Sequence, residues 1–155
     1  MHVSAKADYG MRALLVLTRA SLEDPRRLVK GEAIATEQDI PVKFLEGILR
    51  QLRQAGIVAS QRGAEGGYRL DRDPGAISIA DVVRALDGPL AAVRGQRPEA
   101  LGYSGSAEHL RDVWVAVRAA MRHVLEDVSL RDVAEGHLPD HVRALLAEPE
   151  AWKRR

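Results

Sequence analysis

Apolar and polar positions follow two periods along this chain, one helical and one extended. In residues 5–20, AKADYGMRALLVLTRA, Ala7, Met11, Leu14, Leu15 and Thr18 share one helical face, and Ala13, Val16 and Leu17 widen it. A helix that is apolar on several sides belongs in an interior. Residues 22–30 contain Pro25 and two arginines and read as a loop. A short helix is predicted at 31–38 and a longer one at 41–55. Pro41 suits the start of the second, because its missing N–H would be unpaired there anyway, and Gly56 suits its end. In this helix Leu45, Ile48, Leu49 and Leu52 recur at i, i+3, i+4 and i+7. That spacing makes a core-facing stripe. Lys43, Glu46, Gly47, Arg50 and Gln54 occupy the opposite side.

After Gly56 the period changes. Residues 57–60 and 67–70 read as short strands, and Gly63, Gly66 and Gly67 between and within them suit a hairpin tip. Two helices joined by a tight turn and followed by such a hairpin predict a winged helix-turn-helix. Ser78 and Asp81 form a capping-box pattern ahead of a helix over 79–87, which Gly88-Pro89 ends. Residues 89–106 show no period, and an irregular stretch of that length is usually functional or disordered. Ser106 is placed to cap a long helix reaching Val128. Its stripe is Leu110, Val113, Trp114, Val117, Met121, Val124, Leu125 and Val128. A seam of about 30 Å is more than a small domain covers alone, so a second copy of the same helix is the simplest partner. A shorter helix is predicted at 129–135 and a frayed end at 148–155.

The expected fold is therefore mainly α. Residues 1–88 form a winged helix-turn-helix head with a two-stranded β wing. Residues 89–106 are a loop, 107–128 a long dimerisation helix, and 129–155 a short helix and tail. Composition narrows the function. The chain has 155 residues, 46% apolar and 29% charged, as expected of a globular protein. No apolar run is long enough to span a bilayer and the N-terminus lacks a signal-peptide pattern, so a cytoplasmic location with no membrane partner is expected. Net charge is +1, with 12 Lys and Arg against 10 Asp and Glu in residues 1–75 and 11 against 12 in residues 76–155. Charge alone does not announce a nucleic-acid partner. There is no cysteine, which excludes disulfides, thiolate nucleophiles and cysteine-held metal centres. Phosphate-loop, His-Glu zinc and nucleophile-elbow motifs are also missing, so no enzyme is expected.

Residues 40–70, IPVKFLEGILRQLRQAGIVASQRGAEGGYRL, followed by ISIADVVRALDG at 77–88, resemble the Rrf-two family of bacterial transcriptional regulators. The resemblance covers residues 1–88 and, more loosely, the long helix and the SLRDV segment at 129–133. It implies a homodimeric regulator, most simply a repressor, acting on double-stranded DNA at a partly palindromic operator. The helix at 41–55 would enter the major groove. Lys43 matches a DNA-contact position and Glu46 a base-reading glutamate, which can accept a hydrogen bond from cytosine N4. Arg62 matches an arginine that enters the minor groove, where narrow A·T tracts concentrate negative potential. Gly63, Gly66 and Gly67 would shape the wing, with Arg50, Tyr68 and Arg69 as phosphate contacts that set register. Other readings stand beside these. Lys43 and Arg50 could be solvated charges, and Glu46 could pair with Arg50 at i, i+4. The wing glycines could serve the turn alone. Gly47 costs about 1 kcal/mol relative to Ala in mid-helix, which requires a reason: close approach to DNA, or tight internal packing.

The resemblance also marks what this chain lacks. Cluster-binding relatives carry three cysteines in the loop corresponding to 89–106 and its continuation. Here Tyr103 and His109 stand at two of those positions, and Asp8 matches a carboxylate ligand of some members. These three are the candidate ligand or sensor residues, but without thiolate they imply no iron–sulfur cofactor, and the small-molecule effector stays unidentified. His109 and His123 lie about 21 Å apart along one helix and cannot share an ion within a subunit. Pro139 interrupts the helical spacing of His137 and His141, so no metal is expected there. A second functional reading is a protein-interaction module that docks a metabolic enzyme through the long helix or the 89–106 loop.

Overall fold

The structure, a computed structural model, describes residues 2–154. The chain enters its first helix through a serine: Ser4 Oγ accepts the Ala7 N–H at 3.0 Å and starts α1, Ala5–Glu23. The helix runs one turn past the expected 5–20. The Asp24 N–H still reaches Ala20 O, and only Pro25, which disfavours a helical residue before it, stops the ladder. α2, Gly31–Gln38, ends at Asp39 in a left-handed conformation, φ 51°. That turn hands the chain through Ile40 and Pro41 to α3, Val42–Gln54. Pro41 is the residue just outside this helix, one position earlier than expected.

The four stripe residues of α3, with α1, make the centre of the core. Gly10 of α1 is the point of closest approach: a Cβ there would stand 2.3 Å from Leu86 Cδ1 and 3.2 Å from Ile48 Cγ2. Three helices can meet at that notch only because the side chain is absent. β1, Val58–Gln61, and β2, Gly67–Leu70, pair antiparallel with Val58 opposite Leu70 and Gln61 opposite Gly67. Val29, in the segment expected to be a plain loop, adds a bridge to this hairpin by exchanging two 2.8 Å hydrogen bonds with Tyr68. α4, Ile79–Asp87, begins with both halves of the Ser78–Asp81 capping box in place.

Residues 89–106 differ from an irregular excursion. Leu90, Pro98 and Leu101 are buried, Val93 and Gln96 exchange hydrogen bonds, and 98–100 and 105–107 form single 3₁₀ turns. Ser106 lies inside the second turn and caps nothing. Because Ala107 and Glu108 bond back to Ser104 and Gly105, the α ladder starts later, and α5 is Leu110–Leu125. It also stops short of Val128, whose carbonyl is taken by the Ile79 N–H at 2.9 Å. α5 is therefore about 24 Å long.

The head does not end at residue 88. The Leu130 N–H donates to Ile77 O at 2.9 Å, Ser78 and Ser129 pair, and Leu130 is wholly buried in the main core. α6, Leu130–Glu135, starts with its own Ser129–Asp132 capping box and packs on α1. Beyond Gly136, the expected tail contains a further helix, α7, Asp140–Ala147, which buries Val142. A 3₁₀ turn at 149–152 follows, tied by Trp152 Nε1 donating to Leu146 O at 2.8 Å.

Candidate nucleic-acid interface

α3 faces two ways. Its apolar stripe is locked into the core, so its outer face is fixed relative to the head. On that face Lys43, Glu46 and Arg50 are exposed, and none of them makes a hydrogen bond or ion pair with another described residue. Glu46 is thus not engaged by Arg50, although the spacing allows it. Gly47, between them, has no atom within 4 Å of where its Cβ would be. Internal packing therefore gives no reason for a glycine here.

Two apolar side chains join this face that the pattern of the sequence did not single out. Val42 and Phe44 are 43% and 44% exposed, and Phe44 is held edge-on against the Tyr9 ring with centroids 5.6 Å apart. Apolar groups at such a position can meet a thymine methyl. The signal available in advance was a phenylalanine beside a core stripe, out of register with it.

The wing stands next to α3. Arg53 Nη1 donates to Ser60 Oγ at 3.0 Å, joining α3 to β1. Lys30 Nζ donates to Ala64 O at 2.6 Å and holds the wing tip from the other side. Lys30, Arg53, Arg62, Gly63, Gly66, Gly67 and Tyr68 line one open cleft. Arg62 itself is exposed at the tip with no partner among the described residues. Gly66 and Gly67 have reasons inside the fold: a Cβ on Gly66 would lie 2.2 Å from Gln61 O, and one on Gly67 2.7 Å from Val29 O. Gly63 has open space but a φ of +105°. Tyr68 is half-buried against the core. Arg69 is set apart from the others. It donates to Leu70 O at 3.1 Å and lines a different cleft, with Ser21, Pro25, Asp71, Asp73 and Arg131. The structure thus brings Lys43, Glu46, Arg50 and Arg62 onto α3 and the neighbouring wing tip, and leaves Arg69 out.

The other named residues lie in and below α5. Among the described residues of this helix none is buried. Leu110, Val113 and Val117 are exposed, while Trp114, Met121, Val124 and Leu125 are half-covered. The Trp114 indole N–H is buried without a hydrogen-bond partner. Arg118 pairs with Glu99 of the preceding loop. At the far end Glu126 receives both Arg122, at 2.9 Å, and Arg84 of α4. Those two guanidiniums hold its carboxyl below the usual carboxylate range, the Arg122 hydrogen bond contributing most.

The candidate sensor residues each engage a separate neighbour. Asp8 pairs with Arg12 at 3.3 Å, the Tyr103 ring lies 5.9 Å from the Arg94 guanidinium, and His109 Nδ1 stands 3.8 Å from Asp112. One carboxylate, one phenol and one imidazole in a chain without cysteine are not the donor set of an iron–sulfur cluster.

Known proteins place this architecture. Residues 3–136 match the Rrf2 family, described as an iron-dependent transcriptional regulator. A Mycobacterium tuberculosis protein, Rv1287, whose name assigns it to the HTH-type transcriptional regulators, is 50% identical over 151 residues, 97% of this chain and 92% of its own. The HTH-type regulator CymR of Bacillus subtilis is 35% identical over 86% of this chain and 90% of its own. The solved structure of CymR, the global cysteine regulator of B. subtilis, superposes with a TM-score of 0.72 at 32% identity, covering 88% of this chain and 98% of that one. T. potens IscR superposes with a TM-score of 0.68 at 31% identity, covering 99% and 97%. These relatives are regulators and not enzymes, and they give no support to the docking-module reading. Among the described residues no helix is long and apolar enough to cross a membrane. The chain belongs to the Rrf2 family of winged-helix, DNA-binding transcriptional regulators.

Proposed function

We propose that the protein works in the cytoplasm as a homodimeric repressor on a partly palindromic operator, and that it does not sense its signal through an iron–sulfur cluster. The observation that carries the DNA reading is the outer face of α3, where Lys43, Glu46 and Arg50 flank Gly47 without a partner in the chain. In this reading α3 lies in the major groove. Glu46 accepts from a cytosine amino group, Lys43 and Arg50 meet phosphates, and Arg62 reaches the minor groove from the wing. Val42 and Phe44 supply apolar contact at the groove edge. The α5 stripe, Leu110 to Leu125, packs against its copy, which sets two heads on one face of the duplex and gives the operator its two-fold symmetry. Bound at a promoter, such a dimer excludes polymerase.

The test is selection of genomic fragments by the purified protein, with Arg62→Ala run in parallel. A recurrent palindrome enriched by the wild type and lost in the variant is the expected result. Equal enrichment by both would overturn the role given to Arg62, and a dimer that enriches nothing would overturn the operator reading. A reporter fused to the recovered promoter then separates repression, the expected sign, from activation.

A further inference from the structure

His141 ends far from where the sequence puts it. Pro139 breaks its helical spacing from His137, and α7 carries it to the end of α5. There its ring lies 4.3 Å from that of His123, centroid to centroid. Asp127, one turn after His123, completes a group. His123 Nδ1 stands 3.7 Å from Asp127 Oδ2, and His141 Nε2 stands 3.5 Å from the same oxygen. One donor atom from each of the three residues falls within 4.8 Å of the others. The group is independent of the DNA-contact face and of the Asp8, Tyr103 and His109 positions, and His109 lies about 21 Å away along the helix.

We propose that His123, Asp127 and His141 form a binding site for a divalent transition-metal ion of the zinc class. The donor set is two imidazoles and one carboxylate, borderline ligands that suit Zn²⁺ and its neighbours and give little selectivity for Ca²⁺ or Mg²⁺. Zn–N and Zn–O bonds of about 2.0–2.2 Å in a tetrahedron put neighbouring ligand atoms about 3.4 Å apart. The two separations to Asp127, 3.7 and 3.5 Å, are already close to that. His123 sits in the last turn of α5 and Asp127 two residues past its end, so only His141 has to be brought in from elsewhere, and α7 has done so.

The arrangement without an ion is held by a replaceable contact. His141 Nε2 lies 2.9 Å from the His123 carbonyl oxygen, a group at the end of α5. The site is solvent-exposed, so when Nε2 turns to a metal, water can take over that carbonyl at small cost. Three protein ligands leave at least one position for water or a further donor. The ion would fasten α7, which buries only Val142, to the helix that carries the exposed seam. Metal occupancy then sets the position of the C-terminal segment relative to α5.

The experiment is calorimetric titration of tag-free full-length protein with Zn²⁺, repeated with Co²⁺ followed by its visible absorption. Wild type, His141→Ala, Asp127→Asn and His137→Ala are compared, each checked for folding by circular dichroism. The expected result is one ion per chain for wild type and His137→Ala, with affinity at least about tenfold lower in His141→Ala and Asp127→Asn. Zn²⁺ should also slow proteolysis between α6 and α7 in the wild type and His137→Ala, and not in His141→Ala or Asp127→Asn. Equal affinity in His141→Ala, or no stoichiometric uptake by wild type, would overturn the proposal. Operator binding that survives in all four proteins leaves the DNA reading untouched whichever way the titration falls.

Discussion

In α3 the apolar stripe of Leu45, Ile48, Leu49 and Leu52 is at most 1% exposed, whereas in α5, where apolar residues recur with the same helical period, Val113 and Val117 remain 52% and 42% exposed. Periodicity alone reads both as helices needing cover. The fold shows that one finds it inside the chain and the other does not. An amphipathic pattern therefore predicts burial without saying by what, and the apolar face of α5 is the surface that the proposed dimer would cover.

That contrast can be broken experimentally at several points. The largest effect is expected from Val113→Glu combined with Val117→Glu. Neither side chain belongs to the buried core, so the head should stay folded while the dimer dissociates, seen by sedimentation. Losing the second half-site should then weaken operator binding by about 100- to 10,000-fold. A variant that remains dimeric would move the interface away from α5. In α3 the reverse is expected: Leu49→Ala should lower unfolding free energy by about 2–5 kcal/mol, measured by urea denaturation, whether or not the protein is dimeric.

Smaller effects should come from the outer face of α3 and from the wing. Glu46→Ala should cost about 1–3 kcal/mol of discrimination at one base pair, with thermal stability unchanged. Gly47→Ala sharpens the comparison further. It should stabilise α3 by about 1 kcal/mol and yet weaken operator affinity, since the space around that Cβ is open in the free protein. Improved stability with unaltered binding would remove the close-approach explanation.

The least effect belongs to the joint between the two regions, where Glu126 meets Arg122 and Arg84. A carboxyl held below its ordinary pKa contributes fully above the unfolded value, and that contribution is lost as pH falls through the depressed folded value. Glu126→Gln should thus separate slightly from wild type in thermal midpoint near neutrality, and the two midpoints should converge in acid.

The same contrast marks how far the amino-acid pattern could be read. Helices with repeated apolar spacing, the Ser78–Asp81 cap and the glycine-rich wing were legible because each is specified by neighbours in sequence. Contacts made by single residues across long separations were not. Val29 pairing with Tyr68, Leu130 entering the head's core and the notch at Gly10 have no period to betray them. Residues 89–106 order themselves through isolated buried residues and short turns, so they resemble disorder when read along the chain. For the proposed interface, helix period put Lys43, Glu46 and Arg50 on the outer face of α3 and the family resemblance pointed to Arg62 on the wing, but the register of β2 sent Arg69 elsewhere. Val42 and Phe44 became visible only once the core left them exposed, with Phe44 set against Tyr9. His123 and His141 met only because of a helix that the tail was not expected to contain.

The return of the chain through Leu130 has one more consequence. Residues 77–79 and 128–130 hydrogen-bond to each other, so the segment 89–127 leaves the head after one end of α4 and rejoins it beside the other. It is a closed excursion and not an appendage. A protease that cuts once within 89–106 severs the backbone without shedding either piece, because the downstream fragment keeps Leu130 in the core that the upstream fragment builds. Such a nick yields a two-chain protein held by its own interior, not a shortened one.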